Sequence, residues 1–237
     1  MTAPIRYTLA PDVLAQFPGY CRGIVWVRGA RNSASVPALT ALLREAEAEA
    51  RRRVTGNVAE HPRIAAWREA YRRFGAKPSE HRSAIEALLR RVLKPDDLPA
   101  INRLVDIGTL VSVRHLLPAG VHPIPAGGAG LELRHAREGD RFLPAGADAA
   151  EAPAPGEVVF TSGAEVLTRR WTWRQAAGTQ TLPETTDVFF NVDGLLPCSR
   201  AEVEAAMADV AALVREHAGG DVTSVVLDAQ TPEAFLA

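Results

Sequence analysis

Hydrophobic and polar positions along the chain follow two rhythms, one with the period of a helix and one with the period of a strand. Residues 23–28, GIVWVR, form a short β-branched and aromatic run bracketed by glycines, which predicts a buried strand. A helix follows over residues 37–54, with Ser35 as its candidate cap and Leu39, Leu42, Leu43 and Ala46 as its apolar stripe. Glu45, Glu47 and Glu49 are expected to meet Arg51, Arg52 and Arg53 near its end. The next helix opens at Pro62 and closes at Gly75, and Ile64, Trp67, Tyr71 and Phe74 recur every three or four residues. Core packing of that stripe turns Arg68 and Arg72 outward. After a GAKP break, Ser83 and Glu86 have capping-box spacing, and Ile85, Leu88, Leu89 and Val92 carry the stripe on to Pro95. Residues 101–117 predict a further helix that stops at Pro118. Asn102, Asp106 and Thr109 fall at i, i+4 and i+7 along it, so they form a polar row on an otherwise apolar segment. Such a row is either a satisfied structural network or the lining of a small-molecule pocket.

From residue 131 the period shortens. LELRHA, a Gly139-Asp140 turn and RFLP precede a loop rich in Pro, Ala and Gly over residues 144–156, which is expected to be mobile. Residues 157–161 and 165–169 flank a Ser162-Gly163 turn and predict a hairpin. WTWRQ follows, residues 171–175. Read as an extended segment, it puts Trp171 and Trp173 on one side, next to Arg174. Paired tryptophans are by default core, but a Trp/Arg wall also stacks on bases or holds a carboxylate. Residues 187–193, DVFFNVD, predict a central strand. Ser199 and Glu202 open a helix that ends at Gly219, with Val203, Met207, Val210 and Val214 inward, and residues 222–227 predict a last strand.

Length and composition add limits. With 237 residues, 47% hydrophobic, the chain has enough apolar mass for a sizeable core. It reads as a single unit over 1–237, with a core about 60–195, an N-terminal strand-helix extension (1–56) and a C-terminal helix-strand extension (199–237). No apolar run is long enough to span a bilayer, and the first residues lack an apolar signal core, so a cytoplasmic, membrane-free protein is expected. Cys21 and Cys198 are too few for a disulfide scaffold, and the six histidines have no ligand spacing to a cysteine or to each other, so no metal and no cofactor is expected.

Charge changes the picture in one place. Residues 55–95 hold nine Arg/Lys against four Glu, a local +5 that leaves −6 on the rest of a chain whose total is −1. A basic region on an acidic body suits a polyanion, and Arg72, Arg73, Lys77, Arg82, Arg90 and Arg91 are its candidate RNA contacts. Equally, these arginines can be solvated helix faces paired with nearby glutamates, and Arg90, Arg91 and Lys94 also suit the end of a helix dipole. No GxSxG elbow, P-loop or HExxH occurs. Gly127, Gly128 and Gly130 precede a strand rather than a helix, which excludes a dinucleotide fingerprint. No catalytic nucleophile stands out.

Four blocks in order, YRRFGAKPSEHRSAIEALLRRVL (71–93), INRLVDIGTLVSVRHLLPAG (101–120), LELRHAREGDRF (131–142) and LPETTDVFF (182–190), resemble the tRNA-editing domain of the phenylalanyl-tRNA synthetase beta subunit, here in a free-standing form. The resemblance implies an α+β fold, a mixed, mainly antiparallel sheet with packed helices, and a pocket for a misplaced amino acid. Position by position, the family's Val-Asp falls at Val105-Asp106, and its following threonine and asparagine at Gly108 and Thr109. Its substrate-contacting histidine falls at Gly120, with His122 two residues on, and its glycine-rich turn with a glutamate is replaced by residues 171–175.

The leading expectation is therefore a protein that binds tRNA or aminoacyl-tRNA and deacylates it in trans. Asn102, Asp106, Thr109, Trp171, Trp173, Arg174 and Gln175 are its candidate pocket. Arg174 is the candidate oxyanion donor, with Asp106 or His122 as general base. The alternatives are a non-catalytic module for RNA or a free amino acid, and an enzyme reusing the pocket for a small carboxylate.

Overall fold

Ten strands and six α-helices are present among the described residues, 4–126 and 129–237, of a computed structural model. Gly127 and Gly128 lie outside the described residues. The elements are β1 (Ile5–Leu9), α1 (Pro11–Gln16), β2 (Cys21–Arg28), α2 (Pro37–Arg53), α3 (Pro62–Arg73), α4 (Ala84–Val92), α5 (Arg103–His115), β3 (Ala119–Pro123), β4 (Leu131–His135), β5 (Val158–Ser162), β6 (Glu165–Arg169), β7 (Arg174–Gln175), β8 (Val188–Gly194), α6 (Arg200–His217), β9 (Asp221–Leu227) and β10 (Glu233–Leu236). The fold is α+β.

The strands form two sheets. One has six strands in the order β10-β1-β4-β5-β6-β7, antiparallel apart from the parallel β1–β4 pair, and the other has four in the order β3-β8-β2-β9, antiparallel throughout. Strands near both ends belong to these sheets, and a large hydrophobic cluster runs from Ile5 to Leu236 beside a smaller one of Phe142, Val159, Val166 and Ala176.

Period two explains why β8 is buried on both faces. Its even residues look toward the helices: Phe190 lies beside Gly108 of α5, and Gly194 lies against Val203 of α6. Its odd residues look toward the six-stranded sheet. There Phe189 meets Tyr7 at 6.1 Å and Phe160 at 5.9 Å between ring centroids, while Trp26, paired with Phe189 across β2, stacks on it at 5.6 Å. Asn191 and Asp193 share this face with Phe189, so a run that reads as apolar delivers two polar side chains between the sheets.

Several local expectations change. Ser35 does not cap α2, whose N-cap is Val36 with Pro37 in the first turn. Glu47 does not meet the terminal arginines but is fully buried, accepting from the Leu98 backbone N–H at 2.9 Å. Ser83 accepts from the Glu86 N–H, as capping predicts, yet the Glu86 carboxylate turns to Arg68 at 2.8 Å instead of closing the box. At Ser199 and Glu202 the box is complete. RFLP forms isolated bridges, Arg141 to Glu165 and Phe142 to Glu151, rather than a strand. The largest change is in WTWRQ. Arg170 and Trp171 both have positive φ, 46° and 63°, so the chain reverses between β6 and β7 and the two tryptophans part company.

Close packing between β8 and α6 sets a testable limit. A Cβ at Gly194 stands 2.4 Å from Val203 Cγ2, a stiff β-branched atom. Gly194→Ala should cost about 1–3 kcal/mol by overpacking. Gly178→Ala, where nothing lies within 4 Å, should change stability by less than about 0.5 kcal/mol. Denaturant midpoints of the two variants check this, and equal midpoints contradict the packing.

Candidate functional site

A cavity of about 270 Å³ lies between the sheets, closed on one side by α4 and α5. Ala84 and Leu88 of α4 and Val105, Thr109 and Ser112 of α5 form one wall. Its buried end is made by Arg22, His122, Phe160, Thr168, Asn191 and Asp193, and its open end by Trp173, Arg174 and Gln175.

Arg22 dominates the buried end. It is 1% exposed, donates through Nε to Asp193 Oδ1 at 2.7 Å and through Nη1 to the Tyr7 hydroxyl at 2.9 Å. A guanidinium only donates, so Tyr7 accepts from it and spends its own proton on Asn191 Oδ1 at 2.9 Å. That fixes the Asn191 amide, with its NH₂ turned away from Tyr7. A parallel relay runs from Trp171 Nε1, which donates to Tyr20 Oη at 3.3 Å, to Tyr20, which donates to Asp193 Oδ1 at 2.5 Å. Burial raises the pKa of both phenols, so both keep the protons these relays need. Burial alone would lower the Arg22 pKa, but Asp193 and the phenols more than reverse that. Among the described residues Arg22 Nη2, Asn191 Nδ2 and Asp193 Oδ2 make no hydrogen bond, and all three residues line the cavity. The floor thus offers two donors and one acceptor.

His122 sits beside them, stacked on Phe189 at 5.3 Å, with Thr168 Oγ1 3.4 Å from its Nε2. Gln175 reaches over from β7, its Nε2 3.2 Å from both ring nitrogens while donating to the Val121 carbonyl at 2.7 Å. Burial, helped by Arg22, pushes the His122 pKa down to about 3. It is neutral at physiological pH and a weak base there.

Of the seven candidate pocket residues, Thr109, Trp171, Trp173, Arg174 and Gln175 line this cavity. Asn102 and Asp106 do not. Asn102 is the N-cap of α5, accepting from Val105 N–H at 3.0 Å and donating to the Thr181 carbonyl at 2.9 Å. Asp106 accepts from the Ile101 N–H at 2.9 Å. Burial raises its pKa, and the Ser35 hydroxyl counters part of the shift without making a hydrogen bond of normal geometry. The face of α5 that meets the cavity carries Val105, Thr109 and Ser112, about 100° round the helix from Asp106. The polar row is therefore mainly a capping network.

The two tryptophans take different roles. Trp171 is buried among Phe17, Tyr20 and Trp67 at 4.7–5.2 Å between centroids. Trp173 stays partly exposed, with Arg170 Cζ 4.4 Å and Arg174 Cζ 4.6 Å from its ring centre.

Most of the candidate RNA contacts have acidic partners. Arg72 and Arg73 share Glu69, Lys77 meets Glu80, and Arg82 and Arg90 turn with Arg68 toward the buried Glu86. Arg91 is exposed, without an ion pair among the described residues. These side chains are spread over α3, α4 and the turn between them. That turn reaches the cavity mouth where His81 meets Trp173 at 4.7 Å.

Sequence reasoning missed Arg22, Asn191, Asp193 and Thr168. A signal existed: Arg22 and Asp193 are opposite charges at the ends of two apolar strands that turn out to be paired neighbours. Among the described residues no group of three or more His, Cys, Asp or Glu is placed to hold a metal, and no helix is long and apolar enough to cross a membrane.

Comparison with known proteins gives two findings. The B3/4 domain family matches residues 66–219. An N-terminal fragment of the phenylalanyl-tRNA synthetase beta-subunit from Pyrococcus horikoshii is similar in structure at 12% identity and a TM-score of 0.47; the match covers 93% of this chain and 53% of that one, so the chain spans about half that fragment's length. No curated protein matches.

Two measurements test the floor. Arg22→Met should cost about 3–5 kcal/mol by leaving Asp193 buried and unpaired, and Arg22→Met with Asp193→Leu should recover part of that loss. A double variant as unstable as the sum of the singles contradicts the pairing. His122 binds a proton in the unfolded chain near 6.5 but in the folded one only near 3. Its share of stability is therefore intact above 6.5 and falls as pH drops toward 3. Denaturation of the parent and His122→Asn across that window should show the flatter profile in the variant.

Proposed function

Since this chain belongs to the B3/4 domain family, we propose that it acts on the aminoacyl 3′ end of a tRNA in the cytoplasm, taking the aminoacyl group into the inter-sheet cavity and hydrolysing the ester in trans. The four ordered blocks resembling the editing domain of the phenylalanyl-tRNA synthetase beta subunit support the same class of substrate. One observation carries the reading: a cavity of about 270 Å³ holds the unspent hydrogen-bonding groups of Arg22, Asn191 and Asp193 at its buried end and Trp173, Arg174 and Gln175 at its open end. A buried polar floor of this kind selects a bound group, because a wrong one leaves its donors unpaired.

The chemistry then rests on placement. Asp106 is outside the cavity, and His122 is too weak a base at neutral pH, so neither takes the proton from the attacking water in this account. The tRNA ester is already activated. Holding it and a water in line, with Arg174 at the rim supplying positive charge that anchors the RNA end, is what these residues offer. The arginines of α3 and α4 would approach the RNA backbone by exchanging their glutamate partners for phosphates.

That exchange favours a second reading. Five of the six candidate RNA contacts already lie within 4.0 Å of a carboxylate, which suits a non-catalytic amino-acid-binding module with no RNA partner or an enzyme for a small carboxylate.

Incubation with a panel of mischarged tRNAs separates the two. The first reading expects at least one member to be deacylated, Arg174→Ala to slow that by about tenfold or more, and affinity for tRNA to fall steeply with salt. A panel left fully charged removes the hydrolase, and affinity indifferent to salt removes the RNA.

A further inference from the structure

Trp173 differs from the other tryptophans. Trp26, Trp67 and Trp171 are each 1% exposed, whereas Trp173 is partly exposed at the cavity rim. Three guanidinium groups lie over its ring: Arg169 Cζ at 6.0 Å, held by Glu151 and Glu157, and the nearer Arg170 and Arg174, which are unlike. Arg170 is a fixture: its side chain is 12% exposed, it stands 3.8 Å from Glu157, and burial lowers its pKa. Arg174 is exposed and makes no hydrogen bond or ion pair among the described residues, so its contact with Trp173 is all that places it. His81 meets the ring at 71° and 4.7 Å and holds its orientation.

We propose that Trp173 is a stacking platform for a nucleobase, the terminal base of the RNA end whose aminoacyl group enters the cavity, and that Arg174 is its removable cover. This rests on the reading above that an RNA end reaches the cavity. An incoming base displaces the Arg174 guanidinium from the indole face, and Arg174 swings to the adjoining phosphate. Each contact given up is replaced: the indole exchanges a cation for an aromatic face, and the cation exchanges a quadrupole for an anion. The two-residue strand β7 at the sheet edge leaves space for that movement, because β7 pairs only with β6. Arg170, held near Glu157, stays in place beside the ring.

Tryptophan fluorescence reads the event in the parent, where Trp173 is the partly exposed indole at the cavity rim and the other three are each 1% exposed. Trinucleotide CCA, AMP, adenosine and ribose 5-phosphate are the probes. CCA, AMP and adenosine should quench saturably, and ribose 5-phosphate should not. By calorimetry, which does not depend on the indole, Trp173→Phe should bind CCA within about threefold of the parent, while Trp173→Ala should bind it about tenfold or more weakly. Arg174→Ala should bind adenosine at least as well as the parent and lose the preference for AMP over adenosine. Parent-like CCA affinity in Trp173→Ala, or equal competition by ribose 5-phosphate, overturns the platform. If Trp173→Ala also deacylates charged tRNA at the parent's rate, the functional reading survives and the platform alone is lost. A parent that binds neither CCA nor charged tRNA removes both.

Discussion

A buried ion pair, Arg22 with Asp193, is the constraint on which this structure turns. A charge leaves water only when its partners are supplied, and a guanidinium at 1% exposure needs several. The chain supplies them from distant places: Asp193 from β8, Tyr7 from β1, and Tyr20 with Trp171 behind Asp193. Satisfying one side chain therefore fixes the two sheets against each other and the β6–β7 turn against both. The pair is poor evidence for stability in itself, because an apolar replacement of equal volume would avoid the desolvation cost. Its value in this account is that the hydrogen-bonding groups left over face a cavity.

The origin of those residues matters. Tyr7, Tyr20 and Arg22 precede the segment matched by the B3/4 family, and Asn191 and Asp193 lie within it. The family segment brings the strand, and the N-terminal strands complete the floor. What the cavity accepts is thus set jointly.

Much of the fold was legible because it rests on local rules. The apolar stripes of α2 to α6, the Ser199 capping box and the β5–β6 hairpin all follow from residue spacing. Strands β1, β3 and β10 pair with segments far along the chain, so no turn-linked partner marks them as β5 and β6 mark each other. The site was only half legible for a similar reason. Thr109, Trp173, Arg174 and Gln175 announce themselves by residue type, but Arg22 becomes meaningful only once β2 lies beside β8. Period-two reasoning also failed at Trp171, where two left-handed residues reverse the chain, and of the two readings open for Asn102 and Asp106, a structural network or a pocket lining, their hydrogen bonds favour the network. The same physics moderates the charge argument. Core packing points the α3 and α4 arginines outward, and the glutamates that accompany them hold most of their charge.

The central claim is that the floor reads a polar group on the bound aminoacyl moiety. Calorimetry with non-hydrolysable adenosines carrying an amide-linked amino acid tests it, comparing the parent with Asn191→Leu, which keeps the branched shape and heavy-atom count of the side chain but removes its NH₂ together with the Oδ1 that accepts from Tyr7. Analogues whose side chain can hydrogen-bond should lose about tenfold in affinity in the variant, as expected for one buried bond, while aliphatic analogues should lose little. Equal losses for both kinds, or none for either, would contradict it.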